Sequence, residues 1–152
     1  MALLIGPIIH RLTTVLKVRS PALLIEPFSD YYHLWTGQAV NLPAVWILPV
    51  RTLFAEEEST LHQAHELIIK FGVSTSEPED LAELVVITMR AVHRAIEQSW
   101  PADWSGAVTA GQVMSLYIRE HDYGVVFQHA GMFARFPELS LTIEIQEARE
   151  ES

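Results

Sequence analysis

The spacing of apolar residues changes within residues 61–98. In the first part every second position is apolar, which predicts a strand with one buried face; these positions are Leu67, Ile69, Phe71 and Val73. In the second part apolar residues recur every three or four residues, which predicts an apolar stripe along one side of a helix. These residues are Leu81, Leu84, Val85, Met89, Val92, Ala95 and Ile96. A long strand packed on a long helix is therefore predicted as the centre of the fold.

A helix-start motif, STSEPED, separates these two parts. We expect Ser76 to cap the helix, with Glu79 as its capping-box partner. Pro78 then lies in the first turn, where its missing N–H group costs no hydrogen bond. Asp80 and the nearby glutamates place negative charge at the positive end of the helix dipole.

Two segments begin the chain. Apolar residues at helical spacing predict an amphipathic helix within residues 2–19. It ends at Ser20-Pro21, because the residue before a proline disfavours the helical conformation. Residues 21–43 are rich in aromatic residues and turn signals, and we expect a partly irregular segment in which residues 22–28 could form a short strand.

The other segments are predicted to be strands. Residues 44–54 are rich in β-forming residues, with Pro49 indicating an edge or a bulge, and a polar turn then leads into the next strand as a hairpin. Residues 112–121 and 139–147 alternate strictly. The order helix, strands, helix, strands predicts an α+β fold: a mainly antiparallel sheet with the N-terminal helix and the long central helix packed on one face.

The length of 152 residues is typical of one domain, which we place at residues 1–147, with a polar tail at 148–152. The absence of cysteine excludes disulfides, thiolate nucleophiles and cysteine-type zinc sites. The apolar run at the N-terminus ends at Ile9 and is interrupted by Gly6 and Pro7. It is too short for a membrane span and lacks the basic start of a signal peptide, so we expect a soluble protein with no membrane partner.

The net charge of −9 is unevenly distributed. Residues 1–51 contain four basic and two acidic side chains, whereas residues 52–152 contain six basic and seventeen acidic ones. Sequence-independent DNA binding needs a basic surface, so this charge disfavours a DNA-reading function. It is compatible with a protein that lets DNA pass without holding it.

Two histidine motifs are the candidates for metal or catalytic chemistry. His62-x-x-His65 would place two zinc ligands on one face of a helix, but in a strand the two side chains point to opposite faces. His121-Asp122 could pair a general base with its orienting carboxylate, but aspartate before Tyr-Gly also favours a turn. No G-x-S-x-G nucleophile motif and no glycine-rich phosphate loop accompanies them. We therefore predict no catalytic residue, no metal site and no cofactor.

Aromatic residues are concentrated in the loop after the central helix. Trp100 and Trp104 lie in residues 99–111, which are interrupted by proline and glycine. Aromatic side chains in loops are favoured interface anchors, because they bury a large area with few rotatable bonds. Alternatively, they cover the open end of the core between helix and sheet. The sequence leaves both interpretations open.

The order of these segments resembles the tail terminator (tail completion) proteins of long-tailed bacteriophages and the related head–tail joining proteins. The resemblance rests on the N-terminal helix, a hairpin ending in HELIIKFGVST, a helix that begins with EDL, and the closing strand LSLTIEIQE. It covers most of residues 1–147 as an order of elements.

The resemblance implies a homohexameric ring that caps the tail tube in the neck of the virion, stops tube growth and provides a docking surface for the head. The implied partners are further copies of the chain, the tail tube protein and head–tail connector proteins. DNA would pass through the lumen without specific binding. The implied function is assembly without catalysis, in the virion, after assembly in the host cytoplasm.

Such a function would use surfaces, and we expect them at the loops 52–60 and 99–112 and at the turn 121–124. The candidate interface residues are Glu56, Glu57, Glu58, Trp100, Trp104, His121, Asp122 and Tyr123. Three alternatives remain: another neck or minor tail protein such as a head-completion or connector protein, a ring-forming interaction module outside viruses, and a small metal-dependent or histidine-based hydrolase using His62, His65 or His121.

Overall fold

The computed structural model describes residues 5–36, 41–57, 60–109, 111–129 and 131–148. These ranges form helices and strands in the order α1 (Ile5–Arg19), β1 (Tyr31–Tyr32), β2 (Ala44–Glu57), β3 (Thr60–Thr75), α2 (Pro78–Ser99), a 3₁₀-helix (Ala102–Trp104), β4 (Gly111–Asp122), β5 (Val126–His129), β6 (Met132–Arg135) and β7 (Glu138–Ala148). The predicted central strand and helix are β3 and α2. The predicted α+β fold class is confirmed.

β3 is the central strand of the sheet. β2 and β7 pair with its two sides, both antiparallel, and β4 pairs antiparallel with the far side of β7. The two-residue β1 runs parallel to β2, and the last residues of β3 pair with the β5–β6 hairpin. Within the described ranges, the outer edge of β4 and most of the outer edge of β2 have no paired strand.

Both helices pack on one face of this sheet, as predicted. Their buried apolar residues recur at three and four, and they are Ile8, Leu12, Val15 and Leu16 of α1 and Leu81, Val85, Met89, Val92 and Ile96 of α2. They meet a fully buried sheet surface formed by Leu67, Ile69, Phe71, Leu141, Ile143 and Ile145. Burial of each such side chain contributes about 1.5–3 kcal/mol, so this core stabilises the packing of both helices on the sheet. None of the described helices is long and apolar enough to cross a membrane.

Bulges change which side chains face the core. The pairing of β2 shifts between Pro49 and Arg51, which confirms the bulge expected at the proline. The pairing of β4 shifts twice, after Val113 and after Ile118. Each extra residue moves the following side chains to the other face, so the strict alternation predicted for 112–121 is wrong, and Leu116 packs on the core with Val113.

Three other predictions are corrected by the structure. The N-cap of α2 is Glu77, with no capping hydrogen bond from its side chain, so the capping box of Ser76 and Glu79 is wrong; the Thr75 hydroxyl instead donates to the Glu77 carbonyl (2.6 Å). Residues 22–28 form turns and no strand. Residues 52–57 continue β2, so the predicted loop at 52–60 is wrong over most of its length.

The sheet face opposite the helices, which we call the open face, carries a second apolar cluster. Trp46 is 3% exposed and contacts the rings of Trp35, Tyr32 and Phe136, with centroids 4.8, 5.4 and 6.1 Å away. The Lys70 ammonium lies 4.4 Å from the Trp35 ring centroid. The aromatic residues of the irregular segment therefore cover one end of the open face.

Candidate assembly surfaces

The loop after α2 is anchored by a buried tryptophan. Trp104 is 2% exposed and donates its indole N–H to the Ser99 hydroxyl (2.9 Å), which in turn donates to the Ile96 carbonyl (2.5 Å). Of the two interpretations left open by the sequence, Trp104 therefore covers the core. Trp100 is half-buried at the edge of the same core.

Two arginines of α1 hold this loop in place. Arg19 donates from Nε and Nη2 to the two carboxylate oxygens of Asp103 (2.5 and 2.8 Å), and Arg11 donates to the Asp103 carbonyl (2.6 Å). The hydrogen bond from Arg19 holds the pKa of Asp103 below its ordinary value. Bidentate pairs of this kind fix the relative orientation of the two groups and also add stabilising energy. These hydrogen bonds therefore fix the orientation of the loop on α1.

An open groove of about 660 Å³ lies between this loop and the start of β4. Trp100, Val108 and Met114 are among its lining residues, and Met114 is 44% exposed. The predicted loop 99–112 is shorter in the structure, because α2 ends at Ser99 and β4 begins at Gly111. Trp104 is one of the residues of this loop that line the groove.

The turn at 121–124 has the predicted turn chemistry. The Asp122 carboxylate accepts the backbone N–H of Gly124 (2.9 Å), and Gly124 has a positive φ of 68°, a conformation that favours glycine. The His121 ring contacts His93 of α2 instead, with Nε2 2.7 Å from Nδ1 of His93. Burial, and then the neighbouring His93, lower the pKa of His121. Tyr123 is 41% exposed.

His62 and His65 do not converge. They lie three residues apart on β3, so they face opposite sides of the sheet. His65 is fully buried, with Nδ1 2.8 Å from the Thr52 hydroxyl, and burial lowers its pKa. In the described part of the chain, no three side chains of metal-ligand type come together.

The β2–β3 hairpin extends the sheet beyond the Pro49 bulge. Glu56 is exposed on β2 opposite Leu61, Glu57 pairs with Thr60, and Glu58 lies outside the described residues. The large exposed apolar side chains of β2 are Val50 (52%), Leu53 (52%) and Phe54 (49%).

An ion-paired cluster lies on the open face beside this hairpin. The Glu66 carboxylate accepts hydrogen bonds from Arg51 of β2 and from Nη1 of Arg119 of β4 (3.2 Å). The Glu66 side chain is 9% exposed, whereas those of Arg51 and Arg119 are 62% and 39% exposed. The hydrogen bond from Arg51 lowers the pKa of Glu66, which favours its ionised form. One carboxylate then accepts hydrogen bonds from two guanidinium groups, so the cluster has a net positive charge.

The fold is shared with a virion protein. One chain in a solved structure described as the virion of a native gene transfer agent (GTA) particle superposes with a TM-score of 0.61, over 96% of this chain and 99% of that chain, at 13% identity. At this identity the likeness shows a common fold. No protein-family model matches the chain, and no curated protein matches it.

Two of the side-chain arrangements above were not predicted from the sequence. The pairing of His93 with His121 joins residues 28 apart, and the Arg51–Glu66–Arg119 cluster depends on the strand register set by the bulges. The alternating pattern indicated only that Glu66 points away from the core. No local signal in the sequence identifies its two arginine partners.

Proposed function

We propose that this chain is a structural protein of a phage-like virion, and that it acts as the tail terminator. The observation that carries the proposal is the full-length likeness of the fold to a virion chain, with 96% of one and 99% of the other superposed. A match over nearly the full length of both chains is more specific than a match to a common substructure, because it includes the order of the elements as well as one motif.

The proposed mechanism is assembly by rigid surfaces. The helices and sheet share one core, and the loop 99–112 is attached to it through Trp104 and Asp103. Surfaces fixed in this way hold their relative orientation when copies associate, which a closed ring requires. In the proposal, six copies form this ring, bind the last layer of the tail tube protein and present the opposite face to head–tail connector proteins.

The charge supports a passive passage of DNA. A net charge of −9 repels phosphates at long range, so a ring of such chains would not retain DNA as it moves through the lumen. No described side-chain arrangement favours the hydrolase alternative, because Asp122 is used by its own turn and the candidate histidines lie apart.

The experiment is electron microscopy of the purified chain, alone and with tail tubes assembled from the tube protein. We expect sixfold rings, and tubes that carry one such ring at a single end and stop growing. A chain that remains monomeric in native mass spectrometry and also leaves tube growth unchanged would contradict the proposal. Binding to the head-side connector without binding to tubes would instead identify a head-completion protein.

A further inference from the structure

The cluster of Arg51, Glu66 and Arg119 has unused hydrogen-bonding capacity. Glu66 occupies Nε and Nη2 of Arg51 and Nη1 of Arg119. Within the described residues, the other guanidinium N–H groups, on Nη1 of Arg51 and on Nε and Nη2 of Arg119, have no hydrogen-bond partner. Two guanidinium groups held by one carboxylate are therefore positioned to bind a further anion.

The surroundings of the cluster are those of an interaction surface. Arg119 is the extra residue of the second β4 bulge, and Arg51 follows the β2 bulge. Bulges redirect side chains and are common beside functional sites. Leu53 and Tyr117, which lie on the same open face, are 52% and 45% exposed. Arginine and tyrosine are enriched at the energetic centres of protein interfaces.

A complementary acidic surface lies elsewhere on the same chain. It consists of the exposed carboxylates at the start of α2, which are Glu77, Glu79, Asp80 and Glu83. No described basic side chain forms an ion pair with any of them. We call this the acidic turn.

The acidic turn cannot reach the arginines of its own chain. From Glu66 to the end of β3 at Thr75 is nine residues, or roughly 30 Å at the rise of a strand. The acidic turn also lies with α2 on the helical face of the sheet, whereas the arginines lie on the open face. A contact between the two surfaces therefore requires two molecules.

We propose that Arg51 and Arg119 of one copy bind the carboxylates of the acidic turn of a second copy. This rests on the proposed function, since it assigns the surfaces by which neighbouring copies associate. Because the two surfaces differ, the contact is head-to-tail, and repetition of such a contact generates a ring when the rotation closes. Guanidinium groups suit carboxylates, because their N–H donors match the two oxygens in a plane.

Charge favours a protein carboxylate over a DNA phosphate as the ligand. The cluster carries one net positive charge, while the same face also bears Glu144 and, in an ion pair with Lys70, Glu138. Duplex DNA presents one charge per ~1.7 Å of its axis, so it would bring many phosphates against these carboxylates. The acidic turn brings four carboxylates within the N-cap residue and the first six residues of α2.

The test is a double-mutant cycle on self-association, measured by sedimentation velocity of the full chain. The first variant is Arg119→Gln, which leaves Arg51 to pair with Glu66. The second neutralises the acidic turn (Glu77→Gln, Glu79→Gln, Asp80→Asn and Glu83→Gln). The matched control is Arg90→Gln, an exposed arginine on α2. We expect each of the first two to weaken association about tenfold, by loss of charge-assisted hydrogen bonds, and their combination to add little further.

A second measurement, chemical cross-linking, identifies the residues in contact and does not depend on measuring the strength of self-association. In Arg119→Lys, carbodiimide treatment joins an amine to a carboxylate in contact with it, and mass spectrometry of mixed isotope-labelled chains locates the bond. A bond between residue 119 and the acidic turn of another chain is expected. Unfolding melts of every variant show whether each is folded.

The outcomes separate the inference from the proposed function. Association of the wild type that is unaffected by Arg119→Gln, or variants whose effects are fully additive, would overturn the inference and leave the ring intact. A wild type that never associates would overturn both. Binding of a DNA duplex at physiological salt that is lost in Arg119→Gln would identify a phosphate site and also overturn the inference.

Discussion

Trp104 donates its indole N–H to the hydroxyl of Ser99, five residues earlier, at 2.9 Å. The bond closes the end of α2 against the loop that follows, with both side chains buried. A loop aromatic that the sequence offers as an interface anchor is thus part of the core. Any contact made by this loop would use its outer residues, above all the half-buried Trp100.

Trp104→Ala is expected to destabilise the fold by about 3–5 kcal/mol, the cost of removing a large buried aromatic side chain. Chemical denaturation measures this as a loss of unfolding free energy. Trp104→Phe keeps most of the apolar volume and should cost less. Trp100→Ala is the matched control, with a smaller effect because Trp100 is only half-buried. Impaired association with unchanged unfolding free energy would instead show that Trp104 contacts a partner.

Asp103→Asn is expected to lower the unfolding free energy at pH 7, because the bidentate pair with Arg19 becomes a weaker neutral contact. The pKa of Asp103 is lowered in the folded protein. Its contribution is therefore fully present above the unfolded value, near 3.8, and is lost as the pH falls through the folded value. Denaturation of wild type and variant should differ at pH 7 and converge in strong acid. A constant difference at all pH values would contradict the ion-pair explanation.

Local sequence patterns are sufficient to predict an element whose side chains keep one period along its whole length. β3 and α2 followed from their periods of two and about 3.6, since each buries a single face. The same rule failed at β4, because an extra residue in each of two bulges changes the face of the side chains that follow. The Arg51–Glu66–Arg119 cluster was not predicted for the same reason: it joins residues 15 and 53 positions apart through a register that only the assembled sheet defines.

Lowering the pH from 7.5 to 5.5 is expected to reduce stability through His65 and His121. Burial lowers the pKa of both below 6.5, with His93 adding to the effect at His121. The unfolded chain then binds more protons than the folded one, so stability is fully present above 6.5 and falls as the pH drops below it.

This pH window separates histidines from carboxylates. The pKa values of Glu66 and Asp103 are lowered in the folded protein, and their unfolded values are 4.5 and 3.8, so the stabilisation from these two carboxylates stays constant between pH 7.5 and 5.5. Thermal melts of His121→Gln should show a smaller pH dependence than the wild type. His10→Gln, at an exposed position of α1, is the control and should follow the wild type. An equal pH dependence in His121→Gln would exclude His121 as a source.

Gly111→Ala is expected to weaken the pairing of β4 with β7. A Cβ atom at this position would lie 2.6 Å from the carbonyl oxygen of Gln146, closer than atoms in contact approach, and this neighbour is backbone. Gly111 pairs with Glu147, so relief of the clash must separate the two strands, at a cost of about 1–3 kcal/mol. Gly6→Ala is the control, since a Cβ atom at that helical position meets no atom of the described residues within 4 Å and alanine favours a helix. Hydrogen exchange should then show faster opening of β4 in Gly111→Ala alone. Unchanged protection of β4 would mean that the strand ends accommodate the methyl group.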